Sequence, residues 1–87
     1  MSKLIQMKKL AILGCGNLGS SIVDGLIASN FCKPTDIIAT KRNPENIKRY
    51  ADLGVMVTSD NRQAALEADT ILLAVKPFQA VEVLNQI

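Results

Sequence analysis

Three glycines stand at the spacing Gly14-x-Gly16-x-x-Gly19, where the apolar run Leu10-Ala11-Ile12-Leu13 gives way to a helical pattern; Cys15, Asn17 and Leu18 fill the gaps. Each glycine has its own physical job. Gly14 permits a tight turn off a strand, Gly16 has no Cβ to hold a pyrophosphate away from the backbone, and Gly19 lets a helix pack closely on the strand. The helix start adds free N–H groups and the positive end of its dipole, both of which favour an anion. Glycines also gather in ordinary βα turns. With a strand before and a helix after, the spacing points to a dinucleotide-binding loop.

The second set of candidates closes the next apolar run, Ile37-Ile38-Ala39-Thr40, which is followed by Lys41-Arg42. A loop that prefers NAD places Asp or Glu here, about 20 residues beyond the glycines, to hold the ribose 2′-hydroxyl. Asp36 is acidic but precedes the run, at the wrong end of the strand. A hydroxyl and two cations suit a 2′-phosphate instead, since Arg binds it bidentately and Lys adds a point charge. NADP(H) is therefore expected over NAD(H), the alternative being that both cations only solvate a loop.

These candidates need elements to hold them. The first strand is expected over 8–13 and the first helix over 18–29, with Ile22, Val23, Leu26 and Ile27 on one stripe and Asn30 in a left-handed position at its end. Pro34-Thr35-Asp36 breaks the chain before the second strand. Asn43 and Pro44 open a second helix that runs to Leu53 and stops at Gly54. Val55 to Thr58 form a short third strand. Ser59 or Asp60 caps a third helix over 61–68. A fourth, fully buried strand covers Ile71 to Val75, Lys76-Pro77 ends it, and a last helix covers 78–87. Four βα units in a row predict an α/β, Rossmann-like parallel sheet in the order 3-2-1-4, flanked by helices. The loops after all four strands then open on one edge, which brings together residues 14–19, 40–42, 59–61 and 75–77.

Composition narrows the function classes. The chain has 87 residues, 48% hydrophobic and 21% charged, which suits one small globular domain. A net charge of +2 and 3% aromatic residues argue against nucleic acid as a partner. No apolar run approaches the ~18 residues of a membrane span, and residues 1–9 carry no signal-peptide core, so a cytoplasmic setting is expected. Cys15 and Cys32 read as two reduced thiols. With no His and no third Cys, no metal site is expected. Tyr50 reads as half-exposed, and Met56 and Phe78 as packed in the core or against a further domain.

The segments Ala11 to Gly19, Ile38 to Pro44, Leu53-Gly54-Val55 and above all Ala74-Val75-Lys76-Pro77 resemble the N-terminal part of pyrroline-5-carboxylate reductase. The resemblance covers nearly the whole chain, and its AVKP segment is more specific than the glycine loop. It implies reduction of 1-pyrroline-5-carboxylate to L-proline with hydride from NAD(P)H. Carried over, Leu13, Gly14, Cys15, Gly16, Asn17 and Leu18 would line the pyrophosphate. Lys41, or its neighbours Thr40 and Arg42, would meet the adenosine phosphate. Asn61 would contact the adenosine portion, and Ala74, Val75, Lys76 and Pro77 the central part of the cofactor. Subunits of that family are about three times as long, so residues 1–87 are expected to be a truncated nucleotide-binding domain. The substrate and dimerisation domain, with every catalytic residue, is then absent, and the full-length parent is a homo-oligomer acting on a small molecule. Other NADP oxidoreductases of the β-hydroxyacid, prephenate or deazaflavin-linked type begin similarly. A non-catalytic nucleotide-sensing or assembly module is the third reading.

Overall fold

The computed structural model describes residues 9–87; Lys8, expected in the first strand, lies outside them. Strand β1 (Leu10–Leu13) leads through the glycine turn into helix α1 (Asn17–Ala28). A 3₁₀ turn at Pro34–Asp36 precedes β2 (Ile37–Thr40), and a second at Pro44–Ile47 precedes α2 (Lys48–Leu53). Then come β3 (Met56–Thr58), α3 (Asn61–Glu67), β4 (Thr70–Leu73) and α4 (Pro77–Gln86).

The strands form one parallel sheet in the order β3-β2-β1-β4, as the βα alternation predicts. In register, Ala11 of β1 faces Ile38 of β2 and Ile71 of β4, while Ala39 faces Val57 of β3. Side chains alternate across the sheet. Ile12, Ile37 and Ala39 pack on one face with Val23 of α1 and Tyr50 of α2. Ala11, Leu13 and Ile38 pack on the other with Ala64 of α3 and Val83 of α4. Both faces of β1 and β2 are therefore covered, which accounts for their unbroken apolar runs.

Helix boundaries follow local chemistry. Asn30 takes a left-handed φ of 60° beyond α1, as expected, and Gly54 ends α2 at a φ of 111°. Asp60 caps α3 by accepting the Gln63 N–H at 3.0 Å. At the start of α4, Lys76 N–H donates to Gln79 Oε1 at 3.2 Å, and Gln79 N–H returns a bond to the Lys76 carbonyl at 2.8 Å.

Four expectations need correction. The fourth strand is not fully buried: Ile71 and Leu72 are 39% and 38% exposed, and Ala74 and Val75 lie beyond it. Among the described residues β4 pairs with β1 alone, so it is an edge strand whose outer side has no neighbour. The continuous helix expected from Asn43 divides into a 3₁₀ turn and α2, and Asn43 makes no side-chain cap. Tyr50 is fully buried because its hydroxyl finds partners: its one proton can go to Asp24 Oδ1 (2.8 Å) or to the Ser20 carbonyl (3.1 Å), and its oxygen accepts from Arg49 Nη2 (2.7 Å). Of the two places expected for Met56 and Phe78, the core is excluded, since both are exposed.

Candidate functional site

At the carboxyl ends of the strands lies a cleft of about 780 Å³. Its floor is the glycine turn. Gly14 has a φ of 84°, and a Cβ there would come within 2.1 Å of Val75 Cγ1, so the turn needs glycine for conformation and for space. A Cβ on Gly19 would lie 3.0 Å from the Gly14 carbonyl and 3.4 Å from Ile12 Cγ2, which is the close helix–strand packing expected of it. Gly16 faces open space, with nothing within 4 Å of the Cβ position.

The backbone donors of this turn divide into two groups. Gly14 N–H donates to Thr40 Oγ1 (3.1 Å), Cys15 N–H to the Thr40 carbonyl (2.6 Å), and Gly16 N–H to the Gly14 carbonyl (2.8 Å). The N–H groups of Asn17, Leu18 and Gly19, the first three of α1, have no partner among the described residues. Three helical amides on a positive dipole end make an anion seat, and the glycine turn orients it.

Of the residues selected from sequence, Gly14, Gly16, Asn17 and Leu18 line the cleft on the turn side. Thr40, Lys41, Arg42 and Asn61 line it on the β2–β3 side, and Ala74, Val75, Lys76 and Pro77 on the β4 side. Leu13, Cys15 and Gly19 do not line it. Leu13 and Cys15 are turned into opposite apolar layers, and Gly19 lies under the turn. Burial pushes the Cys15 thiol above its ordinary value of 9.0, outweighing the hydrogen bond with Ser20 and the positive charges of Lys41 and Arg49. A protonated, enclosed thiol packs; it does not react.

Helix α4 contributes residues that the sequence reading missed. Gln79, Glu82, Val83 and Gln86 form a stripe along the cleft, and Ser59, just beyond β3, lines it as expected of the 59–61 loop. Arg42 Nη2 lies 3.8 Å from Glu82 Oε1 in an exposed ion pair. Asn61 Nδ2 donates to Gln86 Oε1 at 2.7 Å. The three- and four-residue spacing of positions 79, 82, 83 and 86 was the available signal, but it mixes polar and apolar residues and does not read as a core face.

The arrangement can hold an extended, anionic ligand: amides at α1 for a phosphate, Lys41 and Arg42 for a second, and an apolar wall at Ala74, Val75 and Pro77. Among the described residues no group of His, Cys, Asp or Glu could hold a metal ion. No described helix is long and apolar enough to cross a membrane.

Known proteins share this sequence and fold. The pyrroline-5-carboxylate reductase of Corynebacterium melassecola is 43% identical over 82 residues, 93% of this chain and 30% of that protein. A pyrroline-5-carboxylate reductase structure from Coxiella burnetii superposes with a TM-score of 0.79 at 40% identity, covering 88% of this chain and 28% of the other. The Plasmodium falciparum pyrroline carboxylate reductase, solved with NADP bound, gives 0.77 at 30% identity over 92% of this chain and 28% of that one. The chain thus spans between 14% and 30% of the length of the curated relatives it matches. With residues 9–87 matched throughout, the chain belongs to the family described as NADP oxidoreductase coenzyme F420-dependent.

Proposed function

We propose that this chain binds NADP(H) in the cleft at the strand ends and is the nucleotide-binding part of a pyrroline-5-carboxylate reductase. The observation that carries the reading is the pairing of two anion-binding features across one cleft. The free amides of Asn17 and Leu18 stand on one side and Lys41 with Arg42 on the other. A dinucleotide with a 2′-phosphate needs both. Gly16, open to the cleft, lets the diphosphate approach the backbone. Lys41 and Arg42 supply cations where an NAD site carries an acid. Ala74, Val75, Lys76 and Pro77 would then border the central part of the cofactor, and Asn61 the adenosine side.

The nicotinamide, when bound, supplies the hydride that reduces the imine of 1-pyrroline-5-carboxylate to the amine of L-proline. Residues 9–87 orient the cofactor; the substrate pocket and its catalytic groups belong to a further domain of the whole protein. That protein works as a homo-oligomer in the cytoplasm. The support for the proline-forming assignment is the set of pyrroline-5-carboxylate reductases among relatives and structural neighbours. The family description supports a second reading, in which NADP exchanges hydride with a deazaflavin.

Calorimetric titration of the 87-residue chain tests the cofactor assignment. NADPH is expected to bind more tightly than NADH, and Arg42→Ala is expected to bring the two together. Equal affinities in the wild type, unchanged in the variant, would defeat the assignment. A hybrid in which residues 9–87 replace the matching segment of the Corynebacterium melassecola enzyme tests whether these residues can present NADPH to a proline-forming catalytic domain. It should reduce 1-pyrroline-5-carboxylate, whereas the 87-residue chain alone should turn over nothing.

A further inference from the structure

Thr40 lines the cleft, yet its own polar atoms are committed elsewhere. The residue is 1% exposed. Its Oγ1 accepts the Gly14 N–H at 3.1 Å and donates to Asn61 Oδ1 in a short hydrogen bond, while its carbonyl accepts the Cys15 N–H at 2.6 Å. Asn61 is committed at both ends, since its Nδ2 donates to Gln86 Oε1 at 2.7 Å. A hydroxyl carries one proton. With that proton given to Asn61, Thr40 has none to offer a phosphate.

We infer that Thr40 is a positioning residue, holding the glycine turn through its hydroxyl and relaying that hold to α3 and α4 through Asn61 and Gln86, and is not itself a ligand of the nucleotide's phosphate. Gly14 is the left-handed residue on which the turn pivots, and Gly16 N–H closes back on its carbonyl. The free amides of α1 follow directly, so a turn released at Gly14 no longer presents them together. Only a residue that accepts and donates from one short side chain completes the relay. Ser keeps both roles; Val has the shape of Thr and neither role. Loss of the hydroxyl leaves the part-buried Gly14 N–H and the Asn61 side-chain oxygen without their partner, the costlier way to lose a hydrogen bond.

The effect on nucleotide rests on the NADP(H) reading of the cleft; the relay itself does not. The test uses the 87-residue chain with Thr40→Val, Thr40→Ser and Asn61→Ala. Two quantities are read: amide hydrogen exchange at Gly14 by NMR without nucleotide, and calorimetric affinity for NADPH and NADH. Thr40→Val is expected to speed Gly14 exchange about tenfold and to weaken both nucleotides by a similar factor, with Thr40→Ser restoring both. Loss of NADPH affinity alone would make Thr40 a phosphate ligand and overturn the inference. So would wild-type exchange at Gly14 in Thr40→Val, or failure of the Ser variant to restore it. If Thr40→Val does not fold, Asn61→Ala decides: faster Gly14 exchange supports the relay, and unchanged exchange overturns it. A wild-type chain that binds neither nucleotide would end the functional reading, and Gly14 exchange would still decide the relay.

Discussion

Gly14 and Gly16 occupy one turn and answer to different constraints. An alanine at Gly14 must hold a left-handed φ and push Val75 aside, which should cost about 2 kcal/mol or more in thermal unfolding. An alanine at Gly16 meets nothing within 4 Å. Its stability should stay within about 0.5 kcal/mol of wild type, while NADPH affinity falls about tenfold as the methyl group stands where the diphosphate approaches. Equal loss of stability in both variants would contradict this division. Titration also acts at single residues. Burial raises the Cys15 thiol above 9.0, and burial, followed by the hydrogen bond to Asp24, raises the Tyr50 phenol above 10.0. Both groups favour their neutral forms when folded, so the stability they contribute is complete below the unfolded values and is lost as pH rises past them. Melting temperature should therefore hold steady up to about pH 9 and decline above it, with Cys15→Ala removing only part of the earlier decline, since burial also raises the Cys32 thiol.

Elements were legible in the sequence where their signals were local. The glycine turn and the left-handed Asn30 followed from residue types within a few positions, and the parallel order from the βα alternation along the chain. The fate of β4 did not, because Ile71-Leu72-Leu73 reads the same whether a further strand covers it or not. Tyr50 was misread for a related reason: the groups that satisfy its hydroxyl sit on α1, 26 and 30 positions away. The stripe of α4 along the cleft was likewise invisible until the helix had a place in the fold. That stripe carries a prediction of its own. Glu82 and Arg42 are both highly exposed, so their ion pair adds little to stability, and Glu82→Gln should leave the melting temperature unchanged. The same change frees Arg42 and should tighten NADPH two- to threefold, by roughly 0.5 kcal/mol, without altering NADH. A tightening of both nucleotides alike would show that Glu82 competes with something other than the 2′-phosphate. At α3, Asp60→Ala removes the cap on Gln63 N–H and should cost about 1 kcal/mol in chemical denaturation.

Across the whole molecule, protection is graded from the middle of the sheet outward. β1 is bonded on both sides and buried on both faces, while β4 offers one side to β1 and the other to nothing described. Native-state exchange should find the amides of Ala11, Ile12 and Leu13 among the slowest, and those on the open side of β4 among the fastest. Uniform protection across the four strands would mean that β4 is covered in solution. The buried phenol described above has one more consequence. The chain contains one tyrosine and no tryptophan, so its near-ultraviolet dichroism arises chiefly from a single chromophore lodged between α1 and α2 beneath the Arg49 guanidinium, 4.3 Å from the ring centroid. An optical signal from the unlabelled protein is therefore a local gauge of whether those two helices remain docked.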